Sequence, residues 1–280
     1  MGGSSAKHIG PRAALQRAGL APAPGLSRRE ALALLLAGLP PLLAPSRADA
    51  FGAASKVRLA QLSYRGGNPV PRPTALARLA WELDKRTSVD VALSPVTIGA
   101  ADRRLFHHPL LFLGGDQAFA LPRRAELDRL RRFLVFGGTL VVDSAEARPG
   151  GPFDRSARQL AAALFPRHPL KKIGKDHVLH KSFYLLDRAV GRVATVPYLE
   201  GVAHDGRMVL VYSQNDLAGA WARDNLGHWE HNVYPGGARQ REAAFRWGIN
   251  IVMYALCVDY KADQVHIPFI LKKRRRWRIR

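Results

Sequence analysis

Two short, uninterrupted apolar runs constrain this chain most. "HPLLFLGG" (108–115) and "TLVVDSA" (139–145) contain no alternating polar residue. A strand with both faces covered reads as a continuous hydrophobic run, typical of the interior of a parallel sheet. Between them lies "PRRAELDRLRRFLVFGG", where Leu127, Leu130, Phe133 and Leu134 fall on one helical face. Gly137-Gly138 then stops the helix, since glycine readily takes the left-handed cap conformation. This is a strand–helix–strand unit, and the same grammar extends in both directions.

Upstream, "KVRLAQLSY" (56–64) reads as a first strand closed by Arg65-Gly66-Gly67-Asn68-Pro69. "PTALARLAWELDKRT" follows as a helix with Leu76, Leu79, Ala80 and Leu83 on its inner face, and "VDVAL" (89–93) as a short strand. Downstream, "DRSARQLAAALFP" is a helix and "PLKKIGKDHVLHKSFYLL" an irregular connector. Residues 193–200 and 207–213 read as a hairpin across His204-Asp205-Gly206, and "ARQREAAFRWGINIVMYALCVDY" as a long closing helix. Such alternation predicts an α/β fold, a three-layer sandwich about a mainly parallel sheet.

Domain organisation follows from the ends. In "SRREALALLLAGLPPLLAPSRADAF" (27–51), the apolar run is too short for a spanning helix, which needs about 20 residues. Pro40-Pro41 also breaks it. A basic leader, a short apolar centre and the small-x-small site Ala48-Asp49-Ala50 read as an export signal over 1–50. Ser27-Arg28-Arg29 resembles a twin-arginine signal, although Ala31 stands where a bulky aromatic is usual; the export machinery reading it is the implied partner. Cleavage after Ala50 leaves an α/β domain over 51–262 and a basic tail over 263–280, in the periplasm or cell envelope.

The formal net charge of +21 is concentrated at those ends. Residues 271–280 alone carry seven basic groups, Lys272, Lys273, Arg274, Arg275, Arg276, Arg278 and Arg280. Near an anionic membrane surface each contributes about 1 kcal/mol. The tail serves equally as a solvated extension. No base-reading module accompanies it, which places nucleic acid behind both. The single cysteine, Cys257, excludes an intrachain disulfide and any cysteine-cluster metal site. Its apolar run, "GINIVMYALCV", predicts a buried structural thiol.

In parallel sheets ligands bind beyond the carboxyl ends of the strands. Those ends carry Gly114-Gly115-Asp116, Asp143-Ser144 and Ser213-Gln214-Asn215-Asp216. The candidate ligand-binding set is therefore Gly115, Asp116, Asp143, Ser144, Ser213, Asn215 and Asp216, expected to meet in one crevice. The competing reading is that such residues cap helices and build turns. His228, Glu230 and His231 in "GHWEHN" offer a metal-binding alternative, but the segment does not read as helix and loop placement is the simpler reading. No metal site is assigned. A phosphate-loop signature, a Rossmann fingerprint and a Gly-x-Ser-x-Gly elbow are all missing, which argues against nucleotide-dependent enzymes and esterases. The cofactor stays unspecified.

"HHPLLFLGGDQAF", "LRRFLVFGGTLVVDSAEA", "FDRSARQLAAALFP", "DHVLHKSFYLL", "VYSQNDLAGAW" and "FRWGINIVMYAL" occur in an order that resembles the bacterial domain-of-unknown-function family DUF4159, over roughly Val57 to Tyr260. The resemblance implies a flavodoxin-like fold similar to class I glutamine amidotransferases. It singles out Asp116, Asp143, Ser213, Asn215, Asp216 and Trp221; in a ligand-binding reading Trp221 serves as a stacking surface for a small or saccharide-like ligand. It implies no glutaminase chemistry, because the elbow position carries Asp143-Ser144-Ala145 and no cysteine. Some relatives have a second acid where this chain has Ser144, which removes one carboxylate of a metal-binding pair. The functional expectation is an exported, non-catalytic ligand-binding domain. The alternatives are a hydrolase using Asp143 or Asp216, or a scaffold held at a membrane by the tail.

Overall fold

A computed structural model describes residues 56–257. The expected export signal over 1–50 and the basic tail over 263–280 lie outside the described residues. The elements, in chain order, are β1 (Val57–Ser63), α1 (Ala75–Arg86), β2 (Val91–Gly99), β3 (Leu110–Gly115), α2 (Arg124–Val135), β4 (Thr139–Ser144) and α3 (Pro152–Leu164). They continue with β5 (Lys171–Lys172), β6 (Glu200–His204), β7 (Arg207–Ser213), α4 (Leu217–Trp221) and α5 (Gly237–Leu256). Seven strands form one sheet in the order β2-β1-β3-β4-β7-β6-β5. The first five are parallel to one another, and β6 and β5 extend the sheet by antiparallel pairings.

Strand periodicity divides the core into two layers. Leu59, Leu110, Phe112, Val141 and Val211 point to the face covered by α1, α4 and α5. Ala60, Leu62, Leu111, Leu113, Leu140, Val142, Leu210 and Tyr212 point to the face covered by α2 and α3. Successive side chains on a strand face opposite ways, so an unbroken apolar run feeds both layers. Full burial of a leucine-sized side chain stabilises by about 1.5–3 kcal/mol. The described residues therefore form the expected three-layer α/β sandwich.

The helices form where their apolar faces demand. In α1, Leu76, Leu79, Ala80 and Leu83 are buried as expected. In α2, Leu130, Phe133 and Leu134 are buried, Leu127 is half-buried, and the Arg123 N–H donates to Glu126 Oε2 at 2.6 Å to cap the start. Gly137, at φ 115°, stops the chain after α2. Pro152 stands at the start of α3, where its missing N–H leaves no helical bond unmade. Asp205 and Gly206 both take positive φ in the β6–β7 turn, the geometry that matches the strand twist.

Three expectations need correction. β2 runs on past Leu93 to Gly99, through Pro95. As the edge strand it has no outer partner to miss the proline's N–H, and a register irregularity opposite Arg58–Ala60 absorbs the distortion. Residues 193–199 are not a strand; pairing with β7 begins at Glu200. There the Asn215 side chain bonds Val196 N–H and C=O, at 3.0 and 2.8 Å, in place of a strand partner. Cys257 is exposed at the C-cap of α5, where the helix has run beyond the sheet-facing turns that bury Ile251, Val252 and Tyr254. Among the described residues no helix is long and apolar enough to cross a membrane.

Gly115 shows how tightly the layers meet. A Cβ there would lie 2.2 Å from the Phe153 ring and 2.4 Å from the Tyr64 hydroxyl. Gly115→Ala is expected to destabilise the domain by about 1–3 kcal/mol through overpacking. Gly174→Ala, whose Cβ would meet nothing within 4 Å, is the control. Equal denaturant midpoints for the two variants would refute this packing account.

Candidate functional site

Parallel pairing puts the carboxyl ends of β1, β3, β4 and β7 along one edge of the sheet. β1 pairs with β2 on one side and β3 on the other, so the chain reverses its direction of travel across the sheet there. The loop after β1, "NPVPRPT" (68–74), crosses this edge, and its three prolines restrict the backbone. Arg72, between two of those prolines, is directed at Asp216 beyond the end of β7.

Asp216 is fully buried and left-handed, at φ 53° and ψ 64°. It is the N-cap of α4, its Oδ1 accepting the Gly219 N–H at 2.9 Å. Arg72 donates through Nη2 to Oδ2 at 2.7 Å and through Nε to Oδ1 at 3.3 Å, and Arg192 Nε donates to Oδ2. One buried carboxylate thus holds two guanidinium groups and a helix start. Asp143, at the end of β4 and 1% exposed, accepts the Leu217 and Ala218 N–H groups, each at 2.9 Å. Two acids from adjacent strands together satisfy the first N–H groups of α4, groups that have no partner within the helix.

Burial, and next the charge of Asp216, push the Asp143 carboxyl up to about 7 against the pull of the two N–H groups and the Ser213 hydroxyl. Burial pulls Arg72 down, but its hydrogen bond to Asp216 and the charges of Asp216, Asp143 and Asp116 raise it above the ordinary arginine range. Of the three strand-end acids, Asp216 bonds Arg72 directly, while Asp143 and Asp116 act on it through their charge. His231, half-buried, is held below its usual range first by burial and then by Arg72.

Ser213 and Asn215 belong to the same cluster, and both are fully buried. Ser213 Oγ accepts the Asn215 N–H at 3.2 Å, and the Asn215 amide is spent on Val196. Gly115 and Ser144 lie apart from it. Gly115 packs against Phe153 of α3, and the buried Ser144 hydroxyl accepts the Ala147 N–H at 3.1 Å. Trp221 is not a stacking surface: it is 1% exposed, packs between Phe112 and Phe245, and donates its indole N–H to Ala244 O at 3.0 Å. Facing the sheet from α4, it has no side open to a ligand.

Asp116 differs from all of these. It is half-buried at the end of β3; Oδ2 accepts from Asn68 Nδ2 at 3.1 Å, whereas Oδ1 is buried without a hydrogen-bond partner. Tyr64 lies alongside, its hydroxyl within 2.7 Å of Asn68 O and 2.9 Å of Gly114 O. Burial, then Asp116, raise that phenol well above its ordinary range. Sequence reasoning missed Arg72 and Arg192. The usable signal was a single arginine inside a proline-bracketed loop, an arrangement that aims one long cation from a rigid base. In "GHWEHN", His228 pairs with Asp224 at 3.3 Å and Glu230 accepts the Thr74 hydroxyl at 2.6 Å. Among the described residues no group of three or more His, Cys, Asp or Glu side chains is placed to hold a metal ion.

Fold and site together define a class: a three-layer α/β domain whose strand-end edge is closed by a buried carboxylate pair under a two-arginine clamp. Residues 58–256 match the family model described as a domain of unknown function (DUF4159), and the chain belongs to that family. Comparison with curated proteins found no match.

Asp143 yields a signed prediction. Its folded pKa lies above the unfolded value of about 3.9, so between about pH 4 and 7 the native state binds the extra proton. The stability this group contributes is present at low pH and is lost as pH rises through about 7. The stability difference between wild type and Asp143→Asn should therefore shift against wild type from pH 5 to pH 8. Parallel pH profiles in urea melts would disprove it.

Proposed function

We propose that this is an exported, non-catalytic ligand-binding domain of the cell envelope, binding a small polyhydroxylated, saccharide-like molecule beyond the carboxyl ends of β1 and β3. The observation that carries the reading is the unpartnered Oδ1 of Asp116. A buried acceptor left unbonded costs about 1–3 kcal/mol, and a ligand hydroxyl removes that cost. Asn68, bonded to the same carboxylate, adds an amide of the kind that orients polar ligands. The position supports the reading too, because open α/β sheets bind ligands where the strand order reverses.

The order β2-β1-β3-β4-β7, with α1 and α5 on one face and α2 and α3 on the other, follows the 2-1-3-4-5 arrangement of flavodoxin-like domains. This supports a flavodoxin-like, amidotransferase-like relationship at the level of architecture. Burial weighs against hydrolysis by Asp143 or Asp216, since neither carboxylate reaches solvent and both are committed to helix α4.

A thermal-shift panel of soluble mono- and oligosaccharides tests the binding reading. At least one polyol should raise Tm saturably without being consumed. Asp116→Ala should weaken that binding about tenfold or more, the cost of losing a hydrogen bond to a charged acceptor. Unchanged binding in the variant, or no response to any polyol, would remove the proposal.

Arg28-Arg29, the short apolar centre and Ala48-x-Ala50 support export by the twin-arginine machinery. The seven basic groups of 272–280 support contact with an anionic membrane surface. Cell fractionation addresses both. Arg28→Lys with Arg29→Lys should retain uncleaved precursor in the cytoplasm, and deletion of 272–280 should move exported protein from the membrane to the soluble fraction. Wild-type partitioning in both variants would discard these two readings.

A further inference from the structure

A shallow groove of about 390 Å³ lies between α1, the start of α5 and residues 229–233. Small-molecule sites occupy about 300–1,000 Å³, so this one is of useful size. Arg241 lines it and is only 8% exposed. Its Nη1 donates to Ala220 O and its Nη2 to His231 O, each at 2.6 Å. Those bonds tie α4 and the 222–236 loop to α5. Among the described residues Nε–H has no hydrogen-bond partner and no carboxylate pairs with this guanidinium. Burial alone acts on it and pulls it below the ordinary arginine range. Arg86 and Arg158, by contrast, are held above that range by the carboxylates they bond. A buried cation without a counter-ion is costly, and an anion supplied from outside lowers that cost.

The surroundings reinforce the charge. Gly237 and Ala238 of α5 line the same groove; Gln240 Oε1 accepts the Gly236 N–H at 3.0 Å, and no acid occupies the first turn of the helix. Helix N-termini carry partial positive charge. Two acids also line the groove, but each is neutralised. Glu82 bonds Arg78 and Arg86, while Glu242 bonds Arg86 at 2.8 Å and Arg246 at 2.9 Å. The wall is aromatic: Trp229 is 41% exposed, with the Arg241 guanidinium 4.2 Å from its ring centroid and Phe245 6.0 Å away.

We propose that this groove binds a small organic anion. A carboxylate or phosphate group sits against Arg241 Nε–H and the first N–H groups of α5, and a flat apolar body lies along Trp229. The inference is independent of the Asp116 reading and shares no residue with it.

Calorimetric titration of the full chain with benzoate, phenyl phosphate, inorganic phosphate and neutral benzyl alcohol tests it. Benzoate or phenyl phosphate should bind saturably, and inorganic phosphate should compete. Arg241→Gln should weaken binding about tenfold or more, as loss of a charge-assisted bond requires. Trp229→Ala should weaken it about threefold to tenfold. Glu242→Gln, at a half-buried rim position, should tighten it about twofold to fivefold by releasing the Arg86 and Arg246 charges from their carboxylate. Should Arg241→Gln not fold, the Trp229 and Glu242 variants decide. Either of them binding as wild type overturns the proposal, as would benzyl alcohol binding as tightly as benzoate, or no saturable heat from any anion.

Discussion

The structure is organised around the Asp216 carboxylate. It is buried, lies in the left-handed region, and is bonded by Arg72, Arg192 and the Gly219 N–H. Three distant segments converge on it: the proline-rich loop after β1, the 189–197 connector, and the β7–α4 turn. Removing one partner of such a buried pair leaves an uncompensated charge and costs about 3–5 kcal/mol. The cluster therefore acts as a clasp along an edge of the sheet that apolar contacts alone would leave loose. Asp143 completes it from the next strand by capping α4, and α4 in turn presents Trp221 to the core.

The clasp also sets which polar groups at this edge stay uncommitted. An edge that would be an open crevice in a simpler domain is filled here by the chain's own polar groups bonded to one another. In native proteins most buried polar groups are satisfied, so the exceptions carry information. Among the described residues Asp116 Oδ1 is one of several buried side-chain atoms without a partner, and it lies at the strand-end edge. Arg241 bonds backbone carbonyls and no carboxylate. The two proposed ligands supply a hydroxyl to the first and an acid to the second. Residues that are fully bonded, however polar, have little left to offer a ligand.

Legibility in the sequence varied by residue for physical reasons. β3 and β4 were plain because strands covered on both faces are apolar throughout. The inner faces of α1 and α2 were plain because a 3.6-residue period survives in the pattern. β2 was ended at Leu93, short of Pro95, and its true length was not legible, since proline's effect depends on whether a strand lies at the sheet edge, which is a property of strand order. Residues 193–199 looked like a strand because their composition suits one, yet Asn215 takes the bonds a partner strand would have made. Trp221 and Cys257 were misplaced for a shared reason: an aromatic or a thiol beside a turn can face either way, and only packing selects.

The sequence by itself determined the layers, the parallel run of strands, the hairpin turn at Asp205-Gly206 and the crowding of acids at the strand ends. All of these follow from local periodicity and turn chemistry acting within a few residues. Only the tertiary structure decided which acids are satisfied, because Arg72 lies 144 positions from Asp216 and Arg192 lies 24 away. Their pairing depends on where the sheet carries each loop, and no local pattern encodes that meeting.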